Sequence, residues 1–252
     1  VSSVRVFTRR LMLGGRPVLT GGIGEVCNFY GDPQNVTYLA QSARNAEIIN
    51  TSLLDEPYFV RERPDIVVMA SMSESTQRKV IEKLRPYMAR INDLINDGAV
   101  FLCTGNSCEI FCKKINYVTE EITAEGLGLF DLEVKTDLFA RYNGKVLGKA
   151  DGVTVTGFRS QFGKIYGDNS SCFFCEVERG MGINENSRFE GMRKNNFIGT
   201  QVLGPILPLN PEFCEYILRL AGEKNPVAAH KEAATAAFEQ RLREFSDPKV
   251  RF

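Results

Sequence analysis

Apolar residues fall in continuous branched blocks in the first half of the chain and in alternation in the second. Asp65–Ala70 (D-I-V-V-M-A) and Ala99–Thr104 (A-V-F-L-C-T) are runs of the kind that forms a strand covered on both faces. Val4–Thr8 and Glu47–Asn50 are shorter strand candidates. Between these blocks the spacing turns helical, over Val36–Arg44 with Asn35 as cap, Thr76–Leu84, and Tyr87–Asn96 with Pro86 at the junction. Arg9–Gly24 reads as a basic, Gly-rich connection, and Thr51–Pro64 as loop. Strand and helix alternate up to about Ile115, which predicts a parallel, doubly wound α/β sheet.

Beyond Gly126 the pattern changes. Leu127–Lys135, Lys145–Lys149, Gly152–Phe158 and Cys172–Val177 read as strands, joined by turns such as Tyr142-Asn143-Gly144 and Ala150-Asp151-Gly152, and are expected to extend the same sheet. Helix returns at Pro211–Leu220, bounded by Gly222. The tail from Val227 to Phe245 is helical in spacing, with a docking stripe at Ala233, Ala237, Phe238, Leu242 and Phe245. The expected division is one α/β domain over residues 1–222 and a helical tail over 223–252.

Gly98–Ile115 (G-A-V-F-L-C-T-G-N-S-C-E-I-F-C-K-K-I) reads as a strand, a sharp turn at Gly105-Asn106-Ser107, and a helix carrying Cys108 and Cys112 on one face. Ligand sites form where such turns leave the carboxyl ends of strands, and a helix N-terminus favours thiolates there. With 31 basic and 31 acidic side chains, the chain has no net charge with which to gather a polyanion, so no nucleic-acid partner is expected. No apolar run approaches the roughly 20 residues of a membrane span. The amino terminus lacks Met and a signal-like region and reads as a trimmed start. Seven irregularly spaced Cys read as thiols of a reducing cytoplasm.

The chemistry these residues offer is limited. Gly21–Gly24 (G-G-I-G) lacks the Lys-Ser/Thr of a phosphate loop and reads as a surface loop. The sequence has one His, His230, so a metal site would be nearly all Cys; Cys172 and Cys175, set in a strand, would point to opposite faces, and neither metal nor cofactor is expected. A nucleophilic Cys needs a nearby base and an oxyanion pocket. Cys103 lies inside the predicted strand, two residues before Gly105, and reads as a packed thiol, while His230 reads as a solvated helix residue.

Six motifs then occur in register: N-F-Y-G-D-P-Q-N (Asn28–Asn35), D-G-A-V-F-L-C-T-G-N-S (Asp97–Ser107), E-G-L-G-L-F-D (Glu125–Asp131), V-T-G-F-R-S-Q-F-G-K (Val155–Lys164), F-E-G-M-R-K-N-N-F-I-G-T (Phe189–Thr200) and L-G-P-I-L-P-L-N-P (Leu203–Pro211). Over about Cys27–Leu220 the chain resembles the glutamine amidotransferase domains of the cobyric acid synthase type, most closely the glutaminase subunits of lipid II isoglutaminyl synthases. The resemblance implies a flavodoxin-like class I amidotransferase fold. It also implies a Mur-ligase-like synthetase partner that receives ammonia freed from glutamine to amidate a peptidoglycan precursor.

The departures fall on the chemistry. The family's Cys-Gly-Gly-Tyr-Gln nucleophile motif registers on Gly105-Asn106-Ser107-Cys108-Glu109, which puts Gly105 at the nucleophile position; a gapped register would restore Cys103. The His of Tyr-Leu-His-Gly-Pro registers on Leu203, with Gly204-Pro205 and Asn210-Pro211 fixing the match on both sides. The family's Gly-Gly-Gly turn becomes Ala70-Ser71-Met72, and its Phe-Glu-Asn-His-Gly-Gly run becomes Phe158–Gly163. Arg141 matches a family Arg that contacts glutamine, which implies a remnant pocket for glutamine or another small molecule. The expectation is a subunit without glutaminase chemistry, retained as a docking or regulatory partner of a Mur-ligase-like synthetase. The alternative is an active glutaminase using Cys103 or Cys108 with Glu109, Glu125 or His230 as base. A third reading is a free-standing small-molecule binder built on Arg141.

Overall fold

The computed structural model describes residues 18–21, 31–43 and 46–251. Its elements run β1 (Val18–Gly21), α1 (Pro33–Ser42), β2 (Glu47–Asn50), β3 (Ile66–Met69), α2 (Glu74–Leu84), α3 (Met88–Asn96), β4 (Val100–Thr104), β5 (Cys112–Tyr117), β6 (Ile122–Glu125), β7 (Phe130–Thr136), β8 (Tyr142–Ala150), β9 (Val153–Gln161) and β10 (Gly163–Tyr166). They continue as β11 (Cys175–Arg179), β12 (Phe189–Glu190), β13 (Met192–Lys194), β14 (Phe197–Thr200), α4 (Ile206–Leu209), α5 (Pro211–Leu220) and α6 (Lys231–Ser246).

The main sheet has the order β13-β14-β4-β3-β1-β2, parallel throughout except for β13, which pairs antiparallel with β14. Its central strands explain their own composition. Val67, Met69, Phe101 and Cys103 enter one core with Val80, Ile81, Leu84, Ile91, Leu94 and Ile95 of α2 and α3. Ile66, Val68, Val100 and Leu102 enter the other with α1 and α5. With both faces buried, every position of β3 and β4 must be apolar or internally bonded, hence the unbroken runs.

The second half does not extend this sheet as expected. Only β13 and β14 join it; β10-β7-β5-β6 and β12-β11-β8-β9 form two further four-stranded sheets. The helix expected after Gly105 is also absent: two 3₁₀ turns, Gly105–Ser107 and Glu109–Phe111, lead straight into β5. Cys108, Phe111, Cys112 and Ile115 mimic a helical stripe. The buried pair Ile115 and Tyr117 has the strand period, and pairing of β5 with β6 and β7 decides the outcome.

Other boundaries shift for local reasons. Val18–Gly21, read as connection, is β1, whereas Val4–Thr8 and Gly22–Gly24 lie outside the described residues. Asn35 is not a cap: α1 starts at Pro33, and the Asn35 carboxamide accepts from the Leu207 N–H at 2.9 Å. Tyr142-Asn143-Gly144 is strand rather than turn; the missing side chain at Gly144 leaves room for the Tyr142 ring. Ala150–Val153 is the expected hairpin, with positive φ at both Asp151 and Gly152, the primed-turn geometry.

The tail helix α6 buries only Phe238 fully, with Leu242 and Phe245 half-buried and the expected Ala233 and Ala237 exposed. Its far end is held by Arg179, whose guanidinium donates to the carbonyls of Phe245, Asp247 (2.8 Å) and Val250 (2.8 Å). Arg179→Ala is expected to leave the sheets intact but raise hydrogen exchange and proteolysis across Lys231–Arg251, a loss of about 1–3 kcal/mol in local stability. Unchanged exchange would assign the tail's hold to Phe238 instead.

Candidate functional site

β4 and β14 run parallel, with Thr200 opposite Thr104, so Gly105 and the segment Gln201–Leu203 leave the sheet side by side. Leu203 is then fixed by a two-way backbone bridge to Phe158 of β9, at 2.8 and 3.2 Å. Gly105 is buried and left-handed, with φ of +59°. A Cβ placed on it would lie 3.1 Å from Leu203 Cδ2 and 3.0 Å from Ser71 Cβ, and on top of Ser71 Oγ. Gly105, Ser71 and Leu203 thus meet at one elbow, at the carboxyl ends of β3, β4 and β14.

The polar groups of this elbow are engaged internally. Asp32, 0% exposed, accepts from Thr104 Oγ1 at 2.7 Å, from Ser71 Oγ at 3.2 Å and from the Ser71 N–H at 3.3 Å. Burial pushes its carboxyl up to about 6, against the opposing pull of those hydrogen bonds. The Asn106 carboxamide clasps Met72, accepting from its N–H at 2.9 Å and donating to its carbonyl at 2.7 Å. The turn Ala70-Ser71-Met72 therefore points two amides at protein acceptors.

Behind the elbow lies a second buried network. The Glu109 carboxylate, 1% exposed, accepts from Gln77 Nε2 at 3.0 Å and Gln201 Nε2 at 2.8 Å. Burial raises the Glu109 carboxyl to about 7. Gln77 also donates to the Asn106 carbonyl at 2.7 Å and accepts from Tyr117 Oη at 3.2 Å. Arg159, 0% exposed, donates to the carbonyls of Met181 and Gly182 and to the carboxamide oxygens of Gln161 and Gln201. Glu190, also buried, accepts from Thr200 Oγ1 and the Gln201 N–H, each at 2.8 Å.

The thiols do not approach this geometry as nucleophiles. Cys103, Cys108 and Cys112 are each 0% exposed and pack in the core shared with α2 and α3. Burial, then the neighbouring Glu109 carboxylate, raises the Cys108 thiol well above its ordinary value, opposite to thiolate activation. Glu125 is exposed on β6, and His230 is exposed in a left-handed turn ahead of α6. Arg141 is exposed, its guanidinium 5.0 Å over the ring of Phe162. Cys172 lies in a turn just before β11, which Cys175 opens. Among the described residues no group of three His, Cys, Asp or Glu side chains is placed to hold a metal ion. Nor is any described helix long and apolar enough to cross a membrane.

Sequence reasoning brought Gly105, Leu203 and Ser71 forward but missed Asp32, Gln77, Glu190 and Gln201 as parts of one assembly. The available signal was polar residues inside otherwise apolar strand ends, such as Thr200-Gln201 before Val202-Leu203.

A doubly wound α/β sheet with a tight glycine elbow at the end of a central strand defines the scaffold. The chain belongs to the family of CobB/CobQ-like glutamine amidotransferase domains, whose pattern matches residues 24–210. It is 30% identical over 206 residues to the lipid II isoglutaminyl synthase (glutamine-hydrolyzing) subunit GatD of Staphylococcus aureus (strain N315), covering 79% of this chain and 82% of that relative. A crystal structure of a glutamine amidotransferase superposes with a TM-score of 0.54 at 13% identity, over 81% of this chain and 99% of that one; this likeness speaks for the fold alone.

Proposed function

We propose that this chain is an amidotransferase-like subunit without glutaminase chemistry, a cytoplasmic docking or regulatory partner of a Mur-ligase-like synthetase that amidates a peptidoglycan precursor. The observation that carries this reading is the elbow itself. In the ungapped register of the resemblance Gly105 takes the family's Cys position, and Leu203, packed beside it, takes the His position. Acyl transfer from glutamine needs a sulfur to attack, a base to take its proton and free amides to hold the oxyanion. Glycine offers no sulfur, leucine accepts no proton, and the amides of Ser71 and Met72 donate to Asp32 and Asn106. The partner class follows from the family and the GatD likeness, and the flavodoxin-like reading from the parallel order β2-β1-β3-β4-β14. Arg141, its guanidinium over the ring of Phe162, is the residue kept from the resemblance as a contact for glutamine or another small molecule. The tail, residues 223–252, is the addition to the amidotransferase domain.

The active-enzyme alternative meets specific obstacles. Cys103 and Cys108 are buried, Glu109 already holds two amide donors, and Glu125 and His230 are exposed. Purified protein, alone and with a synthetase recovered by co-purification from the native host, is expected to release no ammonia from glutamine. Release that disappears in Cys103→Ala or Cys108→Ala would overturn this reading.

A further inference from the structure

The atoms that fill the elbow come from the neighbouring turn. Ser71 follows β3, and its side chain crosses to Gly105, so that a Cβ at position 105 would overlap Ser71 Oγ and sit 3.0 Å from Ser71 Cβ. Real Cβ atoms essentially never come that close. Ser71 has no easy retreat. It is 2% exposed, and both its hydroxyl and its N–H are tied to the same oxygen of Asp32, at 3.2 and 3.3 Å. Leu203 closes the other side at 3.1 Å, pinned through its own backbone to Phe158.

The volume of one side chain is therefore shared between positions 71 and 105, and here it is spent at 71. We propose that Ser71 is the residue that holds the elbow closed, and that Ser71 and Gly105 are a coupled pair: a side chain can return to 105 only when the one at 71 is removed. The inference rests on the reading of Gly105 as the nucleophile position and adds to it. Loss of the thiol is locked by a second residue, so a single substitution cannot reopen the site. Asn106 reinforces the lock by clasping Met72, the next residue of the same turn.

The test is a double-substitution cycle on the full chain: Gly105→Cys, Gly105→Ala, Ser71→Gly, and each position-105 change combined with Ser71→Gly. The readouts are melting temperature and iodoacetamide alkylation of the introduced thiol, mapped by peptide mass spectrometry so that native buried thiols are counted separately. Gly105→Cys and Gly105→Ala alone are expected to lower the melting temperature by roughly 5 °C or more, since a side chain must adopt positive φ and meet Ser71. Adding Ser71→Gly is expected to recover at least about half of that loss, and to speed alkylation at 105 by roughly tenfold or more. Should the single variants fail to fold, rescue of soluble protein by Ser71→Gly is the supporting result. Strictly additive losses, or equal alkylation with and without Ser71→Gly, would overturn the coupling. Ammonia release by the unaltered chain would instead strike the functional reading and leave the measured coupling as it is.

Discussion

Arg159→Ala is expected to be the most damaging single substitution outside the hydrophobic cores, with a loss of about 3–5 kcal/mol, the range for removing one member of a buried charged network. Arg159 is wholly buried in β9, and its fork reaches four acceptors on three different segments: Gln161 on its own strand, Met181 and Gly182 on the loop after β11, and Gln201 after β14. Removing it strands the two carbonyls without a donor and takes the positive charge away from buried Glu190 and Glu109. Against a total stability of about 5–15 kcal/mol, that is a large share, and the melting temperature should fall by roughly 10 °C. Arg159→Lys should recover only part, because an ammonium has three donors and no planar fork. A fall below about 2 °C for Arg159→Ala would mean that water or Glu190 protonation substitutes for the guanidinium.

The same residue shows how far the sequence is legible. Strands β3 and β4 could be read directly because burial on both faces forces continuous apolar runs, a local signature of a tertiary fact. Gly105 and Leu203 could be read because short fixed motifs flank them. Arg159 could be seen as a departure inside Phe158–Gly163, but not as the hub of a network, because three of its four acceptors are supplied by segments more than 20 residues away, at Met181, Gly182 and Gln201. Gln77 is hidden for a related reason. On α2, among Glu74, Arg78 and Lys79, it looks like one more solvated side chain, yet it is 0% exposed and reaches Asn106, Glu109 and Tyr117. The segment after Ser107 failed in the opposite direction: its helical spacing was real, but partners on β6 and β7 made a strand of it.

Glu109→Gln is expected to reduce the pH dependence of stability between pH 6 and 8. In the folded chain the Glu109 carboxyl is raised from 4.5 to about 7, chiefly by burial, with the amides of Gln77 and Gln201 opposing the shift, Glu74 adding to it and Arg159 opposing it. The native state thus holds its proton more tightly than the unfolded chain, so stability is greatest below about pH 4.5 as far as this group is concerned, and declines as pH rises towards 7. A shift of this size is linked to a change on the order of 3 kcal/mol, complete near pH 8. Other buried carboxyls share its sign, so Glu109 supplies part of the dependence in this window. Asp32 has the same sign, but its carboxyl lies at about 6 and is mostly spent by neutral pH. The Tyr117 hydroxyl and Cys108 thiol are pushed upward and out of the range by burial. Glu190 is raised by burial, and the Arg159 guanidinium opposes that shift. Urea unfolding of the unaltered chain at pH 6, 7 and 8 should therefore show falling stability, and Glu109→Gln a shallower fall. The slope rather than the absolute value is the criterion, since the new carboxamide brings a donor that Gln77 and Gln201 must turn to accommodate. Equal slopes in both proteins would show that Glu109 is ionised throughout, its charge held by Gln77, Gln201 and the field of Arg159.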